Sequence, residues 1–275
     1  MVFAIIGGDE RQIFLAKMLK NDRHTVRMCG FERHESHTPC LSVGDALFGA
    51  DCVILPIPST KDGKTVWTPL GNEEILLHDL TSAAGKKTLF LTACHTLGVQ
   101  REYDYFAREE LTIQNALITA EGAVGAAIDG VDSTLWSSRV LVTGFGRIGK
   151  LLCDRLAPFG CDITATSRRA ETDAWIRASG YKSIDSSEIE RHADLYDIIF
   201  NTVPQPLLTL SVLQKLKRDC LIIELASPPF GVDFEAANEL GIRIIRASGL
   251  PAKTAPKTAA EIIYNTINNI LSEKL

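Results

Sequence analysis

The 275-residue chain lacks the features that mark membrane, secreted and nucleic-acid-coating proteins. It has no run of about eighteen consecutive apolar residues, so we expect no transmembrane span. The first residues, MVFAIIGGDE, show neither the cationic start nor the small-residue cleavage site of a signal peptide. The formal net charge is −5 and no basic run stands out, which argues against nucleic acid as a partner.

The cysteines show no pairing pattern. The seven cysteines are scattered, form no C-x-x-C pair and mostly stand beside apolar runs, as buried free thiols do. A reducing cytoplasm therefore fits best. One segment, His34-x-x-His37-x-x-Cys40, combines zinc-type ligands but lacks the fourth ligand of a tetrahedral site. We expect a surface loop and no metal there, with zinc as the alternative.

Short apolar runs alternate with segments of helical period along almost the whole chain. The runs that indicate buried strands are 3–6, 24–30, 51–58, 88–94, 111–117, 140–143, 196–204, 219–227 and 242–251. Strands spaced this way, with helices between them, predict βαβ crossovers and parallel sheets of the α/β class.

Two segments of helical period differ from the others. Residues 119–139 are rich in glycine and alanine, and Ala123, Ala127, Val131 and Leu135 recur at helical spacing. This segment predicts a long helix that bridges two domains. Residues 258–275 carry an apolar stripe and predict a final helix that packs back on the first domain.

The centre of the chain contains a glycine motif in its required context. Gly144, Gly146 and Gly149 follow an apolar strand, precede a helical segment and stand about twenty residues before a second strand end. Such glycines permit a tight turn, a close approach to a pyrophosphate, and helix–strand packing beside a phosphate-binding helix N-terminus. We assign dinucleotide binding to Gly144, Phe145, Gly146, Arg147, Ile148 and Gly149. A glycine-rich turn without a ligand is the alternative.

The end of the second strand distinguishes the two nicotinamide cofactors. An NAD site usually has Asp or Glu here, which hydrogen-bonds the ribose 2′-hydroxyl. This chain instead has Ser167, Arg168 and Arg169. A carboxylate would repel a 2′-phosphate, whereas an arginine can pair with it in a fork. The residues therefore favour NADP over NAD, with a solvated basic turn as the alternative.

Two further strand ends are expected beside the same ligand, because ligands of open α/β sheets lie outside the carboxyl ends of the strands. Thr202, Val203 and Pro204 end one strand, and Ala226 and Ser227 end the next. We place these residues near the nicotinamide half of the cofactor. Proline is also a plain strand terminator, which is the alternative for Pro204.

Together these features predict two doubly wound parallel-sheet domains that face each other across a cleft. Residues 1–120 are predicted to form a flavodoxin-like or Rossmann-like domain on the substrate side, with helix 258–275 packed back on it. Residues 121–257 are predicted to form a Rossmann NADP-binding domain.

Motifs spread over essentially the whole length resemble the dipicolinate synthase A-subunit family. They are the opening IIGGDERQ, the segment TAEG, the loop GFGRIG with SRR, the strand ends NTVP and ELAS, and the ending GLPAKTAPKTA. The opening and the ending are the specific part, because the glycine loop and NTVP recur in many dehydrogenases. One departure is visible: the family tends to show S-x-P-G-G where this chain has SPPFG at 227–231.

The resemblance implies a sporulation enzyme of the mother-cell cytoplasm. It implies oxidation of a dihydrodipicolinate, an intermediate of the lysine branch, to pyridine-2,6-dicarboxylate. It further implies a partner, a flavoprotein-like B subunit, and we expect a homo-oligomer. The overall plan is similar to that of D-2-hydroxyacid dehydrogenases.

A substrate with two carboxylates requires cations and N–H donors at the ends of strands and helices. The candidates are near a Gly-Gly turn, after the third strand and in a proline-flanked loop after the last strand. These substrate candidates are Arg11, Gln12, Ser59, Thr60, Lys253 and Lys257. Ordinary surface or turn roles are the alternative for each.

Proton transfer has two candidates. His95 ends the fourth predicted strand, and histidine is the side-chain type that exchanges protons near neutrality. Glu121 stands at the head of the predicted bridging helix, where a carboxyl group can also simply stabilise the helix dipole.

Two other functions stay open. One is an NADP-dependent dehydrogenase of another small acid, related to D-2-hydroxyacid dehydrogenases. That group uses a histidine in its last third, where this chain has only His192, within the polar stretch IERHADLYD. The other is a non-catalytic NADP-binding regulator, although nothing in the sequence resembles a DNA-reading or effector domain.

Overall fold

The computed structural model describes residues 1–35 and 40–274. The chain divides into two compact units, Met1–Asn115 with Ala255–Leu275, and Ala116–Thr254. Each unit contains one parallel sheet with helices packed against it, so the predicted α/β fold class is confirmed.

The first unit is built on a five-stranded parallel sheet in the order β2-β1-β3-β4-β5. Its strands are β1 Val2–Ile6, β2 Thr25–Cys29, β3 Cys52–Ile54, β4 Leu89–Thr92 and β5 Glu102–Asp104. Every residue of β3 and β4 is buried, as expected for parallel strands that are covered on both faces.

The second unit contains a six-stranded parallel sheet in the order β11-β10-β9-β6-β7-β8. Its strands are β6 Arg139–Thr143, β7 Asp162–Ser167, β8 Lys182–Asp185, β9 Ile198–Asn201, β10 Leu221–Glu224 and β11 Arg243–Arg246. The order reverses between β6 and β9, which is the switch point of a doubly wound Rossmann sheet. Ligands of such sheets bind outside the carboxyl ends of the strands at this point.

Helices cover both sheets. In chain order they are α1 Glu10–Asn21, α2 Val43–Leu47, α3 Leu77–Ala83, α4 Glu109–Gly130, α5 Arg147–Leu156, α6 Ala170–Ala178, α7 Ile189–His192, α8 Leu210–Leu213, α9 Phe234–Leu240, α10 Leu250–Thr254 and α11 Pro256–Lys274. The last helix, α11, packs against α1 and buries Ile263 and Ile267. Arg108 pairs with Glu273 at 2.5 Å, which ties the end of α11 to the same unit.

The second sheet has an apolar core on each face because its strands alternate. Val140 and Val142 lie in one core, together with residues of α4 and α5. Leu141 lies in the other, with residues of α8 and α9. Successive side chains of a strand point to opposite faces, so both faces of β6 are covered and its carboxyl end is fixed in place.

The prediction for the middle of the chain is wrong in two respects. The helix expected over 119–139 instead runs from Glu109 to Gly130, and it includes residues 111–117, which were expected to form a strand. Periodicity cannot separate a short apolar strand from a helix segment, and here the helical spacing continues upstream. Its buried alanines are Ala116, Ala120, Ala123 and Ala127. The fifth strand of the first sheet is β5 instead.

By length and composition, α4 is apolar enough to cross a membrane. Half of its most apolar stretch is buried inside the protein. A Cβ on Gly122 would lie 2.6 Å from Thr254, and one on Gly130 would lie 2.7 Å from Ile245. These glycines therefore pack closely against other parts of the second unit, which is the pattern of a core helix.

Candidate active site

The glycine loop joins β6 to α5 in a conformation that requires glycine. Gly144 has a φ of +80°, and a Cβ there would lie 2.7 Å from the side chain of Val203. A Cβ on Gly149 would lie 2.4 Å from the carbonyl oxygen of Gly144. At Gly146, no atom of the described residues lies within 4 Å of the Cβ position. Two glycines therefore permit the turn and the close packing, and the third leaves an open face beside the helix start.

The start of α5 suits an anion. Gly146 is the N-cap residue, and no side chain of the described residues caps this helix. The first turn of this helix carries the positive end of the helix dipole. The Gly144 N–H donates to Thr166 Oγ1 at 2.9 Å, which fixes the loop against β7. A pyrophosphate fits this position chemically and sterically.

A cavity of about 530 Å³ adjoins the glycine loop at the switch point of the sheet. It is lined by Gly144, Phe145, Gly146, Thr166, Ser167, Arg168, Arg169, Thr172, Ser186, Val203 and Leu207. Seven of these residues were predicted from the sequence as cofactor ligands. The sequence did not predict the other four, Thr166, Thr172, Ser186 and Leu207. Neither the polar strand β8 before Ser186 nor the turn at Leu207 carries a recognisable motif.

The two arginines lie at the rim of this cavity and are exposed. Ser167 Oγ donates to the Arg169 carbonyl at 2.8 Å and accepts its N–H at 3.1 Å, so this hydroxyl stabilises the turn. Asp185 is the register partner of Ser167 on β8. Hydrogen bonds from Ser187 and, in part, the charge of Arg168 hold the pKa of Asp185 below its usual value. A cationic rim with one nearby carboxylate results.

The strand ends on the other side of the switch point form a buried polar network. Asn201 and Glu224 are 0% and 2% exposed. Thr143 Oγ1 donates to Asn201 Oδ1, and Thr202 Oγ1 donates to the Thr143 carbonyl at 2.6 Å. Ala226 is buried, whereas Pro204 and Ser227 are exposed. The predicted residues at these ends therefore combine a fixed backbone with some accessible surface.

Arg11 and Gln12 are buried in the first turn of α1. Arg11 binds the two carboxyl oxygens of Asp9 at 2.9 Å each and donates to the Ile57 carbonyl at 2.7 Å. Gln12 Oε1 accepts the Asp9 N–H at 3.0 Å, which completes a capping box. Its Nε2 is buried and has no partner among the described residues. Asp9 therefore offsets the charge of Arg11, whose guanidinium fixes the turn after β3.

Ser59 and Thr60 stabilise turns. Ser59 is fully buried, donates to the Pro56 carbonyl at 3.3 Å and accepts the Ala93 N–H at 2.7 Å. Thr60 Oγ1 donates to Asp62 at 2.9 Å. The hydroxyl of Ser59 joins the ends of β3 and β4, which is the turn role that the sequence left open.

The remaining catalytic and substrate candidates are not among the residues that line the cavity beside the glycine loop. His95 is half-buried, just beyond β4. Glu121 does not head a helix, since α4 begins twelve residues earlier, at Glu109, and that expectation is wrong. Its carboxyl group lies 3.5 Å from Arg155, in the last turn of α5 and away from the phosphate-binding end. Lys253 in α10 and Lys257 in the first turn of α11 are exposed.

The structure does not test the zinc alternative at His34, His37 and Cys40. His37 lies outside the described residues. His34 Nε2 contacts Glu10 Oε1 at 2.9 Å. Among residues 1–35 and 40–274, no group of three or more His, Cys, Asp or Glu is placed to hold a metal ion.

Comparisons with known proteins agree with this geometry. Residues 104–229 match the family model described as the NAD binding domain of D-isomer specific 2-hydroxyacid dehydrogenases. Residues 2–104 match the model of the N-terminal domain of the dipicolinate synthase A subunit. The Rossmann sheet, the glycine loop and these matches define the protein as an NAD(P)-dependent oxidoreductase.

The particular family follows from full-length relatives. The chain is 31% identical to the dipicolinate synthase A subunit of Bacillus subtilis (strain 168), over 98% of this chain and 95% of that protein. A crystal structure of the corresponding protein from Bacillus halodurans matches with a TM-score of 0.88 and 26% identity, over 98% of this chain and 97% of that one. The crystal structure of the Bacillus subtilis protein matches with a TM-score of 0.86 and 29% identity, over 98% and 95%. The chain belongs to the dipicolinate synthase A-subunit family, as its motifs predicted.

Proposed function

We propose that this protein is an NADP-dependent enzyme component that oxidises a dihydrodipicolinate to dipicolinate. The cavity beside the glycine loop carries the proposal, because Arg168 and Arg169 stand at its rim where an NAD site has an acid. The family relationship supports the substrate class.

The proposed reaction is dihydrodipicolinate + NADP⁺ → dipicolinate + NADPH + H⁺. One ring carbon loses a hydride, one proton leaves, and the ring becomes aromatic. Bound NADP supplies the hydride acceptor. Since aromatisation supplies most of the driving force, the chain has to orient the ring, balance two carboxylates and accept a proton.

The residues that would hold the cofactor follow from the site. The N–H groups at the start of α5 suit the pyrophosphate, and the absence of a side chain at Gly146 gives it room. Arg168 and Arg169 suit the 2′-phosphate because a guanidinium can pair with two phosphate oxygens. We place the nicotinamide half beside the loops that begin at Thr202 and Ala226.

On the substrate side we propose His95 as the proton acceptor, since it is half-buried and follows a strand end. Lys253 and Lys257 keep exposed ammonium groups and are proposed to bind carboxylates. Because Asp9 offsets the charge of Arg11, we propose that Arg11 acts on the substrate indirectly. It fixes the turn after β3, and that turn faces the substrate in the proposal. Gln12 supports the same helix start. Ser59, Thr60 and Glu121 are left out of the proposed site.

We further propose that the chain works with a B subunit, in the mother-cell cytoplasm of a sporulating cell, and as a homo-oligomer. Its relatives bear the name of one lettered component of a larger enzyme, which supports a partner. The lysine branch is the proposed source of the substrate.

The test combines the purified chain, its B subunit, NADP and dihydrodipicolinate. We expect NADPH absorbance and the ultraviolet spectrum of a pyridine dicarboxylate to rise together. His95→Gln should lower kcat at least about a hundredfold, as loss of a general base does. His192→Gln is the matched control. If wild-type protein forms no pyridine chromophore, the catalytic proposal is abandoned.

The position of His192 bears on the other dehydrogenase chemistry. It lines a separate cavity with Arg139, Asp162 and Lys182, which begin their strands. This is the amino edge of the second sheet, opposite the glycine loop. A 2-hydroxyacid dehydrogenase mechanism with His192 as its base is therefore not supported.

A further inference from the structure

We propose that Glu224 is a positioning residue for the nicotinamide half of the cofactor, an inference that rests on the proposed function. Glu224 ends β10 and is 2% exposed. Each of its carboxyl oxygens accepts from Asn201 Nδ2, at 2.8 and 2.9 Å. Oε1 also accepts the Ala226 N–H at 2.8 Å, and Oε2 accepts the Gly231 N–H at 3.1 Å. Four hydrogen bonds therefore converge on one buried carboxyl group.

These bonds fix both ends of one loop. Ala226 stands near the start and Gly231 at the end of the loop that follows β10. Asn201 ends β9, between the two neighbouring strands. It is the register partner of Glu224 on β10 and of Thr143 on β6. Because Thr143 also donates to Asn201, the loop is linked across two strands to the strand that carries the glycine loop.

The same network reaches the wall of the cavity. Asn201 Nδ2 donates to the Val203 carbonyl at 3.0 Å. The Leu207 N–H donates to the Gly231 carbonyl at 3.1 Å. Val203 and Leu207 both line the cavity, so a shift of the loop would move its wall. A Cβ on Gly231 would lie 2.4 Å from Asn201 Nδ2, which shows how closely the loop packs on the network.

Phe230 adds a second constraint on this loop. Its φ is +68°, a conformation that side chains other than those of Asn and Asp rarely adopt. The ring meets Phe234 edge to face with a centroid distance of 5.4 Å, and the Arg246 guanidinium lies 3.6 Å from the centroid of Phe234. Side-chain packing thus holds a strained backbone in one conformation, as at sites where position matters.

The substitution Glu224→Gln tests the network while keeping its shape. In either orientation the new NH₂ group faces the N–H of Ala226 or of Gly231, so one end of the loop loses its acceptor. The phosphate-binding elements at Gly146 and Arg168 belong to other strand ends. We therefore expect the nicotinamide half to lose its fixed position while the phosphates keep theirs.

The experiment uses the full chain and two probes, NADPH and 2′,5′-ADP, which lacks the nicotinamide. For Glu224→Gln we expect NADPH to bind about tenfold more weakly, which corresponds to about 1.4 kcal/mol. We expect 2′,5′-ADP to bind less than about threefold more weakly. The increase in fluorescence emission that NADPH shows on binding should be lost. Glu190→Gln, which removes a surface carboxylate from the same unit, should behave as wild type.

The outcomes separate the two proposals. If wild-type protein binds neither probe, the proposed function fails and this inference fails with it. If wild type binds both and folded Glu224→Gln keeps the wild-type emission and affinities, the positioning role alone is refuted. If Glu224→Gln does not fold, Gly231→Ala decides, because its Cβ would lie 2.4 Å from Asn201 Nδ2 and would displace the loop from the network that Glu224 holds. A reduced NADPH emission with unchanged 2′,5′-ADP affinity supports the role, and unchanged emission refutes it.

Discussion

Replacing Arg168 by alanine should lower the affinity for NADP about tenfold and leave the affinity for NAD within about twofold. Arg168 lines the rim of the cavity at the end of β7, where the adenosine ribose of a Rossmann cofactor lies. Only NADP carries a phosphate there. The substitution should therefore reduce the preference for NADP over NAD, and removing Arg169 as well should reduce that preference further.

The magnitude follows from the exposure of Arg168. A sheltered hydrogen bond to a charged group contributes about 1.5–3 kcal/mol. Because this side chain is exposed and screened by salt, we take the lower end, which corresponds to about tenfold. Asp185 offsets part of the positive charge, since Ser187 and Arg168 keep its pKa low and the group ionised. Asp185→Asn should therefore strengthen NADP binding by less than about threefold.

Calorimetry with NADP and NAD at low and high salt is the assay. The wild-type preference for NADP should shrink as salt rises, because exposed charges are screened. Arg243→Ala removes one positive charge from the opposite edge of the same sheet and is the matched control. An unchanged preference after loss of both Arg168 and Arg169 would refute the reasoning that led to NADP.

Three further predictions concern stability. Gly149→Ala should abolish nucleotide binding and cost about 1–3 kcal/mol, because its Cβ would lie 2.4 Å from a backbone carbonyl oxygen. Ile267→Ala should cost about 2–5 kcal/mol, since it empties a fully buried position on α11, which packs against α1. Burial raises the pKa of Asp197, but hydrogen bonds from Lys217 and the Arg139 N–H lower it more, so the net pKa is depressed. Its stabilisation is present above about pH 4 and lost as pH falls, and Asp197→Asn should flatten that loss.

Urea unfolding followed by circular dichroism measures all three. Gly125→Ala is the control for the glycine, because no atom of the described residues lies within 4 Å of its Cβ position; it should stabilise α4 by about 0.5–1 kcal/mol. A Gly149→Ala protein that still binds NADP would contradict the packing argument. A cost below about 1 kcal/mol at Ile267 would mean that α11 docks weakly. An unchanged acid limb in Asp197→Asn would show that other carboxylates control it.

The glycine loop and the arginines could be predicted because their signals are local. Glycine is required at Gly144 by a positive φ and at Gly149 by a close carbonyl, and both needs arise within one strand–turn–helix unit. The start of α4 was missed for a related reason. A short segment such as residues 111–117 gives the same local signal in a strand and in a helix, and packing decides between them.

The amino-acid sequence by itself determined the α/β class, most of the strands, the glycine turn after β6 and the basic pair after β7, since each depends on residues close together in the chain. Tertiary structure alone decided which side chains are available to a ligand. Arg11 is offset by Asp9 and fixes the Ile57 carbonyl, a contact across 46 positions of sequence. Glu224 meets Asn201 because parallel strands align residues that are 23 positions apart. Such pairings arise from sheet register and burial, which no local pattern encodes.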